Sequence, residues 1–127
     1  MPTYIQTTKN QGIFLTTGTV TILNGASLSD AISLGNRHLS EIIMPAAWTA
    51  AALTFQFSLD GITYNNAFSL TAELTATTTA ALANQSINIA TTATFHGARY
   101  LKIRSGTAAV PVNQGADRVL TVISMIE

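Results

Sequence analysis

Hydrophobic positions along this chain recur at intervals of two. Leu53, Phe55, Phe57 and Leu59 alternate with Thr54, Gln56 and Ser58, the pattern of a strand with one buried face. Asp60-Gly61 follows at once; both residues tolerate positive φ, which marks a hairpin. Ile62, Tyr64, Phe68 and Leu70 carry the return path. Val20 and Ile22 run up to a turn at Asn24-Gly25, and residues 31–35 form a shorter run. Leu39, Glu41 and Ile43 alternate with Ser40, Ile42 and Met44, so both faces are expected to be partly buried. Pro45 stops that strand. Ile87 and Ile89 mark another short strand. Ala98, Tyr100, Lys102 and Arg104 alternate with Arg99, Leu101 and Ile103 up to Ser105-Gly106, and a β-branched run follows at 119–125. About eight strands at this spacing predict an all-β, antiparallel β-sandwich over residues 20–127.

Three stretches fall outside that alternation. Residues 1–19 are polar, with apolar patches at Tyr4/Ile5 and Ile13/Phe14/Leu15. They read either as an extended N-terminal arm lying across a neighbour or as an edge strand of the same sheet. Residues 46–52 are Ala-rich and predict a loop that carries Trp48 across one end of the sandwich. Residues 71–83 mix Thr, which favours strand, with Ala, which favours helix; a long loop with irregular strand character is expected.

Composition narrows the function. The 127 residues suit one domain, and 47 % are hydrophobic, enough for one core. Charged residues make up 9 %, against about 25 % in typical soluble domains. Two readings fit: partner subunits cover much of the surface, or a Thr/Ser/Asn-rich surface keeps it soluble without charge. The net charge is zero and the basic residues are scattered, except for Arg99, Lys102 and Arg104. That argues against a nucleic-acid partner, because phosphate binding needs clustered cations. The longest apolar stretch, 44–53, is too short and interrupted to span a bilayer, so no membrane partner is expected. The N-terminus lacks a basic region followed by an apolar stretch, and no signal peptide is read.

Chemistry is sparse. There is no cysteine, and His38 and His96 stand in no metal-ligand spacing. No nucleophile elbow, phosphate loop or dinucleotide fingerprint occurs. Asp60 has a turn role beside Gly61, Asp117 sits beside Arg118, and Asp30 is placed to cap a turn. No catalytic residue, cofactor or metal ligand is assigned, and the chain is read as a non-enzyme. On a strand, Lys102 and Arg104 share one face and Arg99 takes the other. The group reads as a solvated sheet face, with an acidic-partner contact as the alternative. Trp48 is either a lid on the core, an anchor in a protein interface or a stacking platform for sugars. Tyr4, Ile5, Ile13, Phe14 and Trp48 are the candidate interface residues.

Three segments together carry a resemblance. They are Ser27-Leu28-Ser29-Asp30-Ala31-Ile32-Ser33-Leu34-Gly35, the stretch from Ile43-Met44-Pro45-Ala46-Ala47-Trp48 to Phe55-Gln56-Phe57-Ser58, and Phe95-His96-Gly97-Ala98-Arg99-Tyr100-Leu101-Lys102-Ile103-Arg104-Ser105-Gly106. As a set they resemble small virion structural proteins of tailed bacteriophages, the capsid cement or decoration proteins among them. The Ser58–Tyr64 hairpin and the 98–103 strand are also similar to discoidin-like, galactose-binding-type jelly rolls. The resemblance implies a jelly-roll-like sandwich on the phage head surface, made in the host cytoplasm. It also implies binding to the major capsid protein and to itself, as a homotrimer. The alternative is a carbohydrate- or receptor-binding module of a tail or fibre, using Trp48, Tyr64 or Tyr100. A glycan hydrolase would need two facing carboxyls.

Overall fold

The computed structural model describes residues 15–70, 72–76, 83–89 and 98–126. Ten strands follow one another: β1 Leu15–Ile22, β2 Ile32–Ser33, β3 His38–Ile43, β4 Leu53–Ser58, β5 Asn65–Asn66, β6 Phe68–Ser69, β7 Ala72–Glu73, β8 Ser86–Asn88, β9 Tyr100–Ser105 and β10 Arg118–Met125. No helix occurs among the described residues. Every strand pairing is antiparallel, in one four-stranded sheet of order β1-β10-β3-β8, a second of order β2-β9-β4-β5, and a small β6-β7 ribbon. The fold is an all-β sandwich.

The core is what the alternation predicts. Val20 and Ile22 of β1 and Leu120 and Val122 of β10 are buried on one sheet, and Leu53, Phe55, Leu101 and Ile103 on the other. Val20 lies opposite Leu120 and Phe55 opposite Ile103 in the two registers. Burying a side chain of this size stabilises the fold by about 1.5–3 kcal/mol. In β3, Leu39 and Ile42 are both buried although they stand three positions apart, an odd offset that should put them on opposite faces. A bulge explains this: Ile123 pairs with Glu41 but Ser124 with Leu39, so β3 carries an extra residue and its inward phase reverses. A phase change within one strand replaces the two-faced burial expected there.

Other expectations are corrected. Leu59 does not continue the inward row; β4 ends at Ser58 and Leu59 is 71 % exposed. Asp60-Gly61 does sit between paired strands, but the connection spans residues 59–64 rather than a two-residue turn. The described part of 71–83 includes β7, and Thr75 bridges to Thr54. Residues 46–52 form no regular element. In the N-terminal stretch, β1 runs from Leu15 through Thr19 into Ile22 without a break; residues 1–14 lie outside the described residues.

One corner depends on glycine. Gly106 has φ +91°, and a Cβ there would fall 2.6 Å from the Val110 carbonyl oxygen. The chain turns back at this point, with Val112 N donating to Ser105 O at 2.8 Å. No side chain fits at position 106 without moving backbone.

Candidate functional site

Trp48, held in the 46–52 loop, is half-buried and packs against the core cluster. Its Nε1–H donates to Ala51 O at 3.3 Å. One face of the ring packs against the core, as a lid would, while the rest stays accessible. Tyr4, Ile5, Ile13 and Phe14 lie outside the described residues, as does His96. His38 is buried in β3.

The described carboxylates hold backbone in place. Asp30 Oδ1 accepts from Thr21 N at 2.8 Å while Asp30 N donates to Thr21 O at 3.2 Å, closing one end of the β1 edge. Asp117 accepts from Asn24 N at 2.8 Å. Glu41 accepts from Ser86 Oγ at 3.0 Å, linking β3 to β8. Asp60 Oδ1 accepts from Ser58 Oγ, Ile62 N and Thr63 N at 2.8–3.0 Å, and so shapes the β4–β5 loop. The backbone donors of Thr63 and Ile62, aided by the Ser58 hydroxyl, hold its carboxyl below the ordinary aspartate value. Among the described residues, no three His, Asp or Glu side chains gather as a metal site would require.

The basic trio divides three ways. Arg99 is exposed. Lys102 Nζ sits 4.3 Å from the centre of the Tyr64 ring, a cation–π contact. Partial burial raises the Tyr64 hydroxyl above its ordinary pKa, with Tyr100 and Asp60 adding to the effect. Arg104 is not solvated, contrary to the expectation for this strand face. It is 6 % exposed beneath the β6–β7 ribbon. Its Nη1 lies 3.2 Å from Glu73 Oε2 and 3.4 Å from Thr54 Oγ1, and its Nη2 donates to Asn66 Oδ1. Glu73 also accepts from Ala108 N at 3.0 Å. This buried ion pair fastens the ribbon to the outer face of the second sheet.

What the ribbon and the β4–β5 loop display is apolar. Leu59, Ile62, Phe68 and Leu70 are 71 %, 84 %, 52 % and 97 % exposed. Two of them, Leu59 and Phe68, line an open groove of about 460 Å³ together with Phe57, Ala67, Ser58, Asp60, Thr63, Asn65 and Asn66. Leu70 has φ +58°, a left-handed conformation that costs a side chain with Cβ about 1–2 kcal/mol. A hydrophobic side chain therefore stands in solvent on a backbone that disfavours it. Sequence reasoning placed Leu59 at the end of the inward-facing strand row and Ile62, Phe68 and Leu70 on the return path after the turn. The usable signal was Ile62, a bulky apolar residue immediately after Asp60-Gly61 where turn residues are usually polar.

Chemically, the arrangement offers contact area, hydrogen-bonding amides and an aromatic–cation pair. No family model matches this chain, and no curated protein or solved structure matches it.

Proposed function

We propose that this chain is a non-catalytic structural module of a bacteriophage virion, a capsid cement protein that binds the major capsid protein and itself. The observation that carries the binding role is the exposure of Leu59, Ile62, Phe68 and Leu70 on the β4–β5 loop and the ribbon, with Leu59 and Phe68 lining an open groove. Exposed apolar clusters of this kind mark interaction surfaces. The virion setting rests on the resemblance of residues 27–35, 43–58 and 95–106. A protein that binds the assembled shell and not its separated subunits stabilises the shell by mass action.

The test is co-sedimentation with phage heads stripped of minor proteins. Saturable binding at a fixed ratio to the capsid subunit is expected, and Ile62→Asp combined with Phe68→Asp should weaken it at least about tenfold. Absence of binding to heads would overturn the cement role. Truncations that probe the N-terminal arm should stop at residue 14, because Leu15–Thr19 pairs with β10.

A second reading, a carbohydrate-binding module of a tail or fibre, is favoured by one feature. Tyr64, Tyr100 and Lys102 lie together beside Gln56 and Asn66, joining aromatic faces to hydrogen-bonding amides. Glycan-array binding lost in Tyr64→Ala but kept in Ile62→Asp would select it.

A further inference from the structure

We infer that the free edge of β1, from Leu15 to Thr19, is the seat of a two-fold contact with a second copy of this chain, in which two β1 strands pair antiparallel about Thr17. The contact lies on the first sheet, whereas the ribbon covers the second, and it stands whether or not the chain binds heads.

The two four-stranded sheets end in edge strands that are not alike. β2 and β5 have 2 residues each and β8 has 3, too few to template a partner strand, whereas β1 has 8. Natural sheets blunt long edges with charge, proline or a bulge. β1 has none of these: its residues include no charged side chain and no proline, and its register against β10 runs unshifted from Leu15 to Ile22. Only the far end is closed. Thr21 N donates to Asp30 Oδ1 at 2.8 Å, and Thr21 O accepts from Asp30 N at 3.2 Å. Those bonds fix the phase of the strand. The backbone groups of Thr21 face away from β10, so in an unshifted strand those of Thr19, Thr17 and Leu15 do too. Among the described residues nothing pairs with the outward N–H of Thr17 or Thr19.

The symmetry of what is exposed selects the occupant. Leu15, Thr17 and Thr19 are spaced evenly about Thr17. A second copy run antiparallel therefore sets Thr17 against Thr17 and Leu15 against Thr19, with every outward N–H facing an outward carbonyl. That yields about six ladder hydrogen bonds. Centring on Gly18 instead would set Leu15 against Thr21, whose groups Asp30 already holds. The side chains agree: Thr opposite Thr is a favourable cross-strand pair, and no charge on β1 opposes its own image. The edge is also braced. A Cβ at Gly18 would fall 2.7 Å from Ile32 Cδ1, so β2 packs directly against this part of the strand, and a braced strand loses little freedom on docking. Pairing about a two-fold axis uses the same patch twice and closes at two. The species is thus a dimer whose first sheets run on into one another, in place of the trimer that the resemblance implies.

Sedimentation velocity over a concentration series tests this with the full chain, which should pass from monomer to dimer. Thr17→Lys and Thr17→Asp each set like charges across the axis and should raise the dissociation constant at least about tenfold. Mixed in equal amounts, the two variants should form the dimer again, because position 17 of one copy meets position 17 of the other in this register. Thr17→Pro should also abolish the dimer. The N–H it removes points away from β10, so the first sheet keeps its bonds, and a thermal midpoint near wild type checks that it has. If the proline variant folds poorly, the charged pair carries the test alone. Amide exchange should show protection at Thr17 and Thr19 that rises with concentration. A monomeric or trimeric wild type, association unchanged in both charged variants, or failure of their mixture to associate overturns the inference. Monomers whose binding to heads is destroyed by Thr17→Lys overturn it too, and give the edge to the capsid subunit. A dimer that mixing restores but that binds no heads upholds the inference and overturns the cement role.

Discussion

The outer faces of the two sheets carry similar residues and meet opposite fates. On the first sheet, one cross-strand row reads Thr19, Thr121, Ile43, Ser86 and the next reads Thr17, Ile123, Glu41, Asn88. Thr17, Thr19 and Ile43 are exposed along these rows. On the second sheet, Thr54 and Arg104 form an equivalent outward row and are both buried. The β6–β7 ribbon makes the difference by lying over the second sheet. A covered polar face must have its hydrogen bonds made inside the protein, because an unsatisfied buried group costs far more than a made bond returns. Glu73 of the ribbon and the neighbouring Asn66 accept from Arg104, and the Gly106 carbonyl accepts from Thr54. An open face has no such requirement, and water serves Thr19 as well as any side chain.

The contrast is open to attack by paired substitutions. The largest expected effect is at the buried ion pair: Glu73→Ala strands the Arg104 guanidinium and should cost about 3–5 kcal/mol. Glu41→Ala, removing a carboxylate from the open face, should stay within about 0.5 kcal/mol. Urea unfolding of both variants reads the difference directly, and equal costs would erase the distinction between the faces. Next is Thr54→Val, which deletes the 2.7 Å hydrogen bond to Gly106 O and should cost about 1–3 kcal/mol. Thr19→Val should again be nearly neutral. Leu70→Asn should raise stability by about 1 kcal/mol by relieving the left-handed leucine, which calorimetry can detect.

The smallest effect is a pH dependence at the β4–β5 loop. The Asp60 carboxyl titrates below its unfolded value, so its contribution is complete above the ordinary aspartate pKa of about 4. It is lost as pH falls through the lower folded value. Carboxyl NMR titration should place Asp60 below the ordinary aspartate value of about 4, and Asp60→Asn should flatten the acid limb of the stability curve. A normal Asp60 titration would remove the carboxylate from its role in shaping the loop.

Strands whose side chains divide cleanly between core and solvent were legible in the sequence. Leu53/Phe55, Leu101/Ile103 and Leu120/Val122 sit where alternation placed them, because a period of two has one physical solution when one face is buried. The ribbon was not legible. Two strands of two residues each are too short to show a period, and the Thr/Ala mixture after Leu70 sends conflicting local signals. Because the ribbon was invisible, so was the burial of Arg104, a residue type that belongs in water unless something covers and pairs it. The same gap hid the exposure of Phe68 and Leu70, which the sequence places only on a return path after Asp60-Gly61. Trp48 was legible as a ring that packs on the core, one of three alternatives.

The register of β1 against β10 bears on how the chain reaches this state. Leu15 lies opposite Met125, and β10 is an interior strand of its sheet, flanked by β1 and β3. The second sheet's β4 and β9 can pair before β10 has left the ribosome. In the first sheet only β3 and β8 can, because β10, which joins β1 to β3, follows all of its partners along the chain. Nascent chains will thus expose β1 and β3 as unpaired edges until the last described strand emerges, and closing a loop of that length favours slow acquisition of the first sheet.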